Sequence, residues 1–101
     1  MKKAEIYLHN RLVGILEETE SGFQFIYIER YQGAPISLTM PIRQQIYHYK
    51  RFPPFFEGLL PEGAQLDALL RTEKLDSHDY LGQLITVGGD LVGAVTVKEG
   101  E

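Results

Sequence analysis

Phe55-Phe56-Glu57-Gly58-Leu59-Leu60-Pro61-Glu62-Gly63 divides the chain into two parts with different periodicities. Pro54 suits the first turn of a helix, where a missing amide donor costs nothing. Phe55, Phe56, Leu59 and Leu60 then share one helical face. Pro61 must break or restart that helix, because it has no donor for the hydrogen-bond ladder. Leu66, Leu69 and Leu70 carry the apolar stripe into a second helical piece, predicted over Glu62 to Glu73. Ser77 is the expected N-cap of a third helix, with Asp79 in its first turn. That helix would bury Tyr80, Leu81, Leu84 and Ile85 and stop at Gly88-Gly89.

Upstream of this block the period is that of strands. Ala4, Ile6 and Leu8 alternate with Glu5, Tyr7 and His9. Asn10-Arg11 is the expected turn into a second strand, Leu12 to Leu16, where Gly14 signals a bulge or a close backbone approach. Thr19 to Gly22 is a polar turn. Phe23 to Ile28 is a third strand, apolar on both sides and so expected to be covered on both faces. Glu29 to Pro35 reads as a loop, Pro35 to Ile42 as a short extended segment bracketed by prolines, and Gln44 to Pro54 as a second loop. Val92 to Val97 closes the chain as a strand. The expected fold class is α+β: a small curled antiparallel sheet with two to three helices, in one domain over residues 1–101.

Composition narrows the function classes. The chain has 101 residues, 44% hydrophobic and 24% charged, as in an ordinary globular domain. Its net charge of −4 argues against gripping duplex DNA directly. With no cysteine, thiolate chemistry and cysteine zinc sites are excluded, which suits a reducing cytoplasm. The N-terminal lysines lead into a strand pattern, not an apolar leader, and the apolar runs are far too short to span a membrane.

No constellation for catalysis stands out. His9, His48 and His78 are far apart and lack ligand spacing. Ser21, Ser37 and Ser77 are outside any nucleophile elbow. Gly88-Gly89-Asp90-Leu91-Val92-Gly93 lacks the Gly-Lys-Ser/Thr ending of a phosphate loop and precedes a strand, so it reads as a helix stop and a tight turn, with Gly93 permitting close packing. Glu17, Glu18 and Glu20 read as a solvated hairpin end. Tyr47, Tyr49, Phe52, Phe55 and Phe56, interleaved with His48, Lys50 and Arg51, have the composition of interface anchors. Of these, Phe56 is expected in the core together with Leu59, while Tyr47, Tyr49 and Arg51 are contact candidates.

Four elements in this order resemble the N-terminal subdomain of HipA-type toxin kinases. They are Val13-Gly14-Ile15-Leu16, Pro35-Ile36-Ser37-Leu38, the block Phe55 to Glu62, and Gly88-Gly89-Asp90-Leu91-Val92-Gly93-Ala94-Val95. The resemblance runs from about Ala4 to Val97. It implies that the family's catalytic and ATP-binding residues lie in later sequence, so this chain is expected not to be an enzyme and to need no cofactor.

The resemblance also implies a role for a free-standing version, a HipS-like antitoxin subunit of a HipBST-type toxin–antitoxin system. Such a subunit would neutralise a HipA/HipT-like serine/threonine kinase in the bacterial cytoplasm. A HipB-like helix-turn-helix protein would complete the complex, with no direct nucleic-acid or membrane contact by this chain. The corner Leu60, Pro61, Glu62, Gly63, Ala64 and Gln65 is the expected docking point, with Tyr49 and Arg51 as further contacts. Two alternatives stand beside this: the N-terminal fragment of a full-length HipA-like kinase, and a generic protein-binding module.

Overall fold

Residues 1–91 and 93–100 are described by the computed structural model. The strands are β1 (Lys3–Leu8), β2 (Arg11–Thr19), β3 (Gly22–Tyr27), β4 (Ile46–Tyr49) and β5 (Val95–Glu99); the helices are α1 (Pro54–Glu57), α2 (Gly63–Glu73) and α3 (Tyr80–Val87). One five-stranded antiparallel sheet has the order β4-β3-β2-β1-β5, so the last strand of the chain returns to pair with the first. The expected class is the observed one.

Alternation sets the buried face. Ala4, Leu16 and Phe25 lie opposite one another across β1, β2 and β3, and all three are fully buried. Ile6, Gly14 and Tyr27 form the next row, with Val97 of β5 beside Ile6. Phe56 of α1 and Leu81 and Leu84 of α3 close over this face, giving one continuous hydrophobic cluster. Phe25 meets Phe56 with ring centroids 5.7 Å apart.

Gly14 meets both expectations placed on it. The β1–β2 register slips between Ile6 and Tyr7, which face Gly14 and Leu12, leaving Val13 as the extra residue of a bulge. A Cβ at Gly14 would lie 2.4 Å from the Ile26 carbonyl oxygen.

Several local expectations are corrected. The β1–β2 turn is centred on His9 and Asn10, both with positive φ (50° and 64°), one residue earlier than expected. That is the primed geometry that matches strand twist in a tight hairpin. β3 is covered on one face only, since Ile26 and Ile28 are half-buried and lie outside the core cluster. Pro35 to Ile42 forms no strand. It folds through a turn in which the Met40 amide donates to the Ser37 carbonyl at 3.0 Å, and it sends Ile36 and Met40 into the core. Residues 46–49, expected in a loop, form β4, because the edge of β3 has unpaired backbone groups to satisfy. The final strand begins at Val95; Val92 lies outside the described residues. Glu17 and Glu18 are half-buried and bonded, Glu17 to Lys3 at 3.5 Å and Glu18 to the Lys2 amide at 2.8 Å.

The cap of α3 is Asp79, two residues after the expected Ser77. One carboxylate oxygen of Asp79 accepts from the Gly82 amide at 3.0 Å and the other from Lys2 Nζ at 2.6 Å. That hydrogen bond raises the Lys2 pKa above 10.5, with the charges of Asp79, Glu18 and Glu99 adding to it. A cation whose folded pKa is raised stabilises the fold below its free value, so this tie fades as pH climbs through the raised pKa. The pair is partly exposed, so solvent screening keeps its own contribution small. Asp79→Ala is expected to cost about 1 kcal/mol in urea unfolding through loss of the cap, and Asp79→Asn to restore most of it. Equal losses in the two variants would assign the effect to the ion pair instead.

Candidate functional site

The corner between α1 and α2 follows directly from Pro61. After α1 the amides of Leu59 and Leu60 still donate to Phe56 and Glu57, at 3.1 Å each, and then the chain must turn. Glu62 is extended and caps α2 without a side-chain hydrogen bond. Gly63 opens the helix at a φ of +58°.

α2 is the unusual element. Its leucines repeat at helical spacing, yet none of its residues is fully buried; Leu66, Leu69 and Leu70 are only half-buried. An apolar stripe on a helix ordinarily faces a core. Here the stripe is incompletely covered by the described residues.

Beside this helix lies a groove of about 370 Å³ lined by Gly58, Leu59, Leu60, Pro61, Gln65, Val87, Asp90 and Leu91. Its walls are mostly aliphatic, with the Asp90 carboxylate and the Gln65 amide as polar groups. Glu62, Gly63 and Ala64 are exposed on the adjoining first turn of α2. The structure therefore brings Leu60, Pro61 and Gln65 together with residues from the far end of α3. Val87 and Leu91 were not singled out from the sequence. The stripe of α3 extended from Leu84 by three residues would have reached Val87; nothing local marks Leu91.

Tyr49 and Arg51 belong elsewhere. Tyr49 sits on β4 opposite Phe23 and is half-buried against the core. Burial pushes its phenol pKa up, with Tyr47 adding to the shift. It lines a second groove of about 460 Å³ with Ser21, Phe23, His48 and Lys50. The two grooves share no residue. Arg51 is exposed on the segment that follows. Of the other aromatic candidates, Phe52 is a core residue, 5% exposed, with its ring 5.2 Å from Phe23 and 5.7 Å from Tyr80. Phe56 is in the core as expected, while Leu59 is half-buried and packs against it.

Among the described residues no cluster of three or more histidine or acidic side chains is placed to hold a metal ion. Among the described residues no helix is long and apolar enough to cross a membrane.

Comparison with known proteins gives the same architecture a family. The family model of the HipA N-terminal domain matches residues 4–98. An uncharacterized protein of Haemophilus influenzae is 32% identical over 99 residues, covering 98% of this chain and 93% of the relative. A solved N-terminal domain of HipA toxin superposes with a TM-score of 0.80 at 28% identity, covering 100% of this chain and 94% of that one. The HipA, HipB and operator DNA complex of Shewanella oneidensis MR-1 contains the same fold, with a TM-score of 0.70 at 21% identity; the match covers 94% of this chain and 23% of that chain. The family model and the solved HipA N-terminal domain agree, and this chain belongs to the HipA N-terminal domain family.

Proposed function

We propose that this chain is a non-catalytic antitoxin subunit that binds and neutralises a HipA/HipT-like serine/threonine kinase in the bacterial cytoplasm. The observation that carries the proposal is the pairing of a half-covered leucine helix with an apolar groove at the α1–α2 corner, in a domain of the HipA family. A second support is the Haemophilus influenzae relative, 93% of whose length is covered by the match, so that relative is itself of similar size. In the Shewanella complex of HipA, HipB and operator DNA the fold occupies 23% of a longer chain. That supports a HipB-like helix-turn-helix protein as a third component and leaves the N-terminal domain of a longer kinase as the second reading.

Docking at the corner follows from its physics. Pro61 and the adjoining helix fix the backbone in advance, so binding costs little ordering entropy. The kinase would cover Leu60, Pro61 and the half-buried leucines of α2 while Glu62, Ala64 and Gln65 set the polar fit. Inhibition follows if that position blocks the substrate cleft or holds the kinase lobes apart.

Ala64→Arg is the clean probe, since Ala64 is exposed on a helix that tolerates arginine. Gly63 is not, because any side chain at its φ of +58° strains the backbone itself. With a HipA/HipT-like kinase as the partner, Ala64→Arg is expected to weaken complex formation about tenfold or more, with loss of growth rescue on co-expression. Glu62→Lys is expected to weaken it less. Wild-type binding and rescue in both variants would exclude the corner, and failure of the unaltered chain to bind would exclude the subunit reading.

A further inference from the structure

The second groove lies at the open edge of the sheet. β4 is the terminal strand, and its ladder with β3 includes the Tyr27 amide donating to the Gln45 carbonyl at 2.9 Å. Hydrogen-bonded pairs alternate along an antiparallel ladder, so Tyr47 and Tyr49 bond inward to β3. Ile46 and His48 direct their backbone groups outward. The Gln44 side chain already donates to the Ile46 carbonyl at 2.7 Å, closing one end of the edge. The His48 amide and carbonyl face the open side.

This edge is cationic in an acidic protein. Lys50 and Arg51 follow it directly, and the ion pairs among the described residues lie elsewhere, at Lys2–Asp79, Lys3–Glu17 and Asp76–His78. Lys50 lines the groove together with two aromatic side chains, Phe23 and Tyr49, both half-buried. Lysine at a sheet edge is a common guard against unwanted pairing. Guarding by charge is selective, however. A second copy of this chain would bring the same cations and be repelled, whereas a carboxylate-bearing strand would be attracted.

We propose that the β4 edge takes an extended acidic segment of a partner protein. The segment pairs with the backbone of His48, rests one apolar side chain on Phe23 and Tyr49, and sets its carboxylates against Lys50 and Arg51. Main-chain bonds supply affinity in this mode of recognition, and the groove and the charges supply selection. The inference deepens the reading of the chain as a binding subunit by giving Tyr49 and Arg51 a surface separate from the corner.

The test uses the full chain, isotope-labelled, titrated with two synthetic peptides that share a central Val-Phe-Val, one flanked by glutamates and one by lysines. The glutamate peptide is expected to shift the amides of Gly22, Phe23 and His48 to Arg51 and to slow hydrogen exchange at His48. Lys50→Glu combined with Arg51→Glu is expected to weaken it roughly tenfold and to admit the lysine peptide. The Ala64→Arg variant serves as a control and should bind the glutamate peptide normally, so failure at the corner and failure at the edge are read separately. Equal binding of both peptides, shifts confined to other strands, or a response to a short DNA duplex in place of the glutamate peptide would each overturn the proposal.

Discussion

Tyr27→Phe is expected to destabilise the fold by about 2–4 kcal/mol in urea unfolding, although it removes one oxygen. The Tyr27 hydroxyl donates to the Met40 carbonyl and accepts from the Ile36 amide, the latter at 3.0 Å. Both partners belong to buried residues, Met40 at 1% and Ile36 at 6% exposure, so water cannot replace the lost oxygen. Each orphaned buried group costs about 1–3 kcal/mol. Against a total stability of roughly 5–15 kcal/mol for a domain of this size, that is a large fraction. Burial raises the Tyr27 pKa, so the phenol stays protonated and able to donate well above neutral pH. Tyr31→Phe is the control: its hydroxyl donates to the Ala34 carbonyl at 2.6 Å in an exposed loop, where water can substitute. A loss below about 1 kcal/mol for Tyr27→Phe would mean that the segment from Pro35 to Ile42 is held by Ile36 and Met40 alone.

Gly88→Ala is expected to cost at least about 3 kcal/mol, while Gly89→Ala stays within roughly 0.5 kcal/mol. The doublet reads in sequence as a helix stop, where glycine supplies a left-handed conformation. In the structure Gly88 is right-handed, with φ −57° and ψ −26°, so its backbone would accept alanine without strain. The constraint is contact. A Cβ at Gly88 would lie 2.0 Å from the Val97 carbonyl oxygen, and the Val97 amide donates to the Gly88 carbonyl at 2.9 Å. Alanine therefore pushes the end of α3 off β5, and Val97 is 3% exposed in the core. At Gly89 nothing lies within 4 Å of an added Cβ. Similar losses at the two positions, by thermal or urea unfolding, would return the doublet to a purely conformational role. The close packing expected at Gly93 belongs to Gly88: Gly93 has open space around it and is instead held at a φ of +96°.

Because α3 meets β5 so closely at Gly88, the groove beside the corner acquires its far wall. Val87 precedes the contact, and Asp90 and Leu91 follow it. Gly88→Ala is therefore expected to disturb the groove as well as the core. That makes it unsuitable as a binding probe, whereas Ala64→Arg leaves the core untouched.

Period and punctuation in the sequence determined most of the architecture. Alternation placed Ala4 and Ile6 on the buried face, the stripe of Leu81 and Leu84 oriented α3, and Pro61 broke the helix where the corner forms. Each is a local effect, set by backbone geometry within a few residues. The four family elements were equally legible, because they are short runs of fixed residue types. What tertiary structure decided was non-local. Residues 46–49 became a strand because β3 had an unpaired edge, and the Pro35 to Ile42 segment lost its extended form because the Tyr27 hydroxyl offered its backbone a buried partner. Asp79, not Ser77, caps α3, and its second carboxylate oxygen accepts from Lys2, which is distant in sequence. The expected docking residues separate into a corner, whose groove is completed by Val87, Asp90 and Leu91 at the end of α3, and an edge, whose groove is completed by Ser21 and Phe23 through the pairing of β3 with β4.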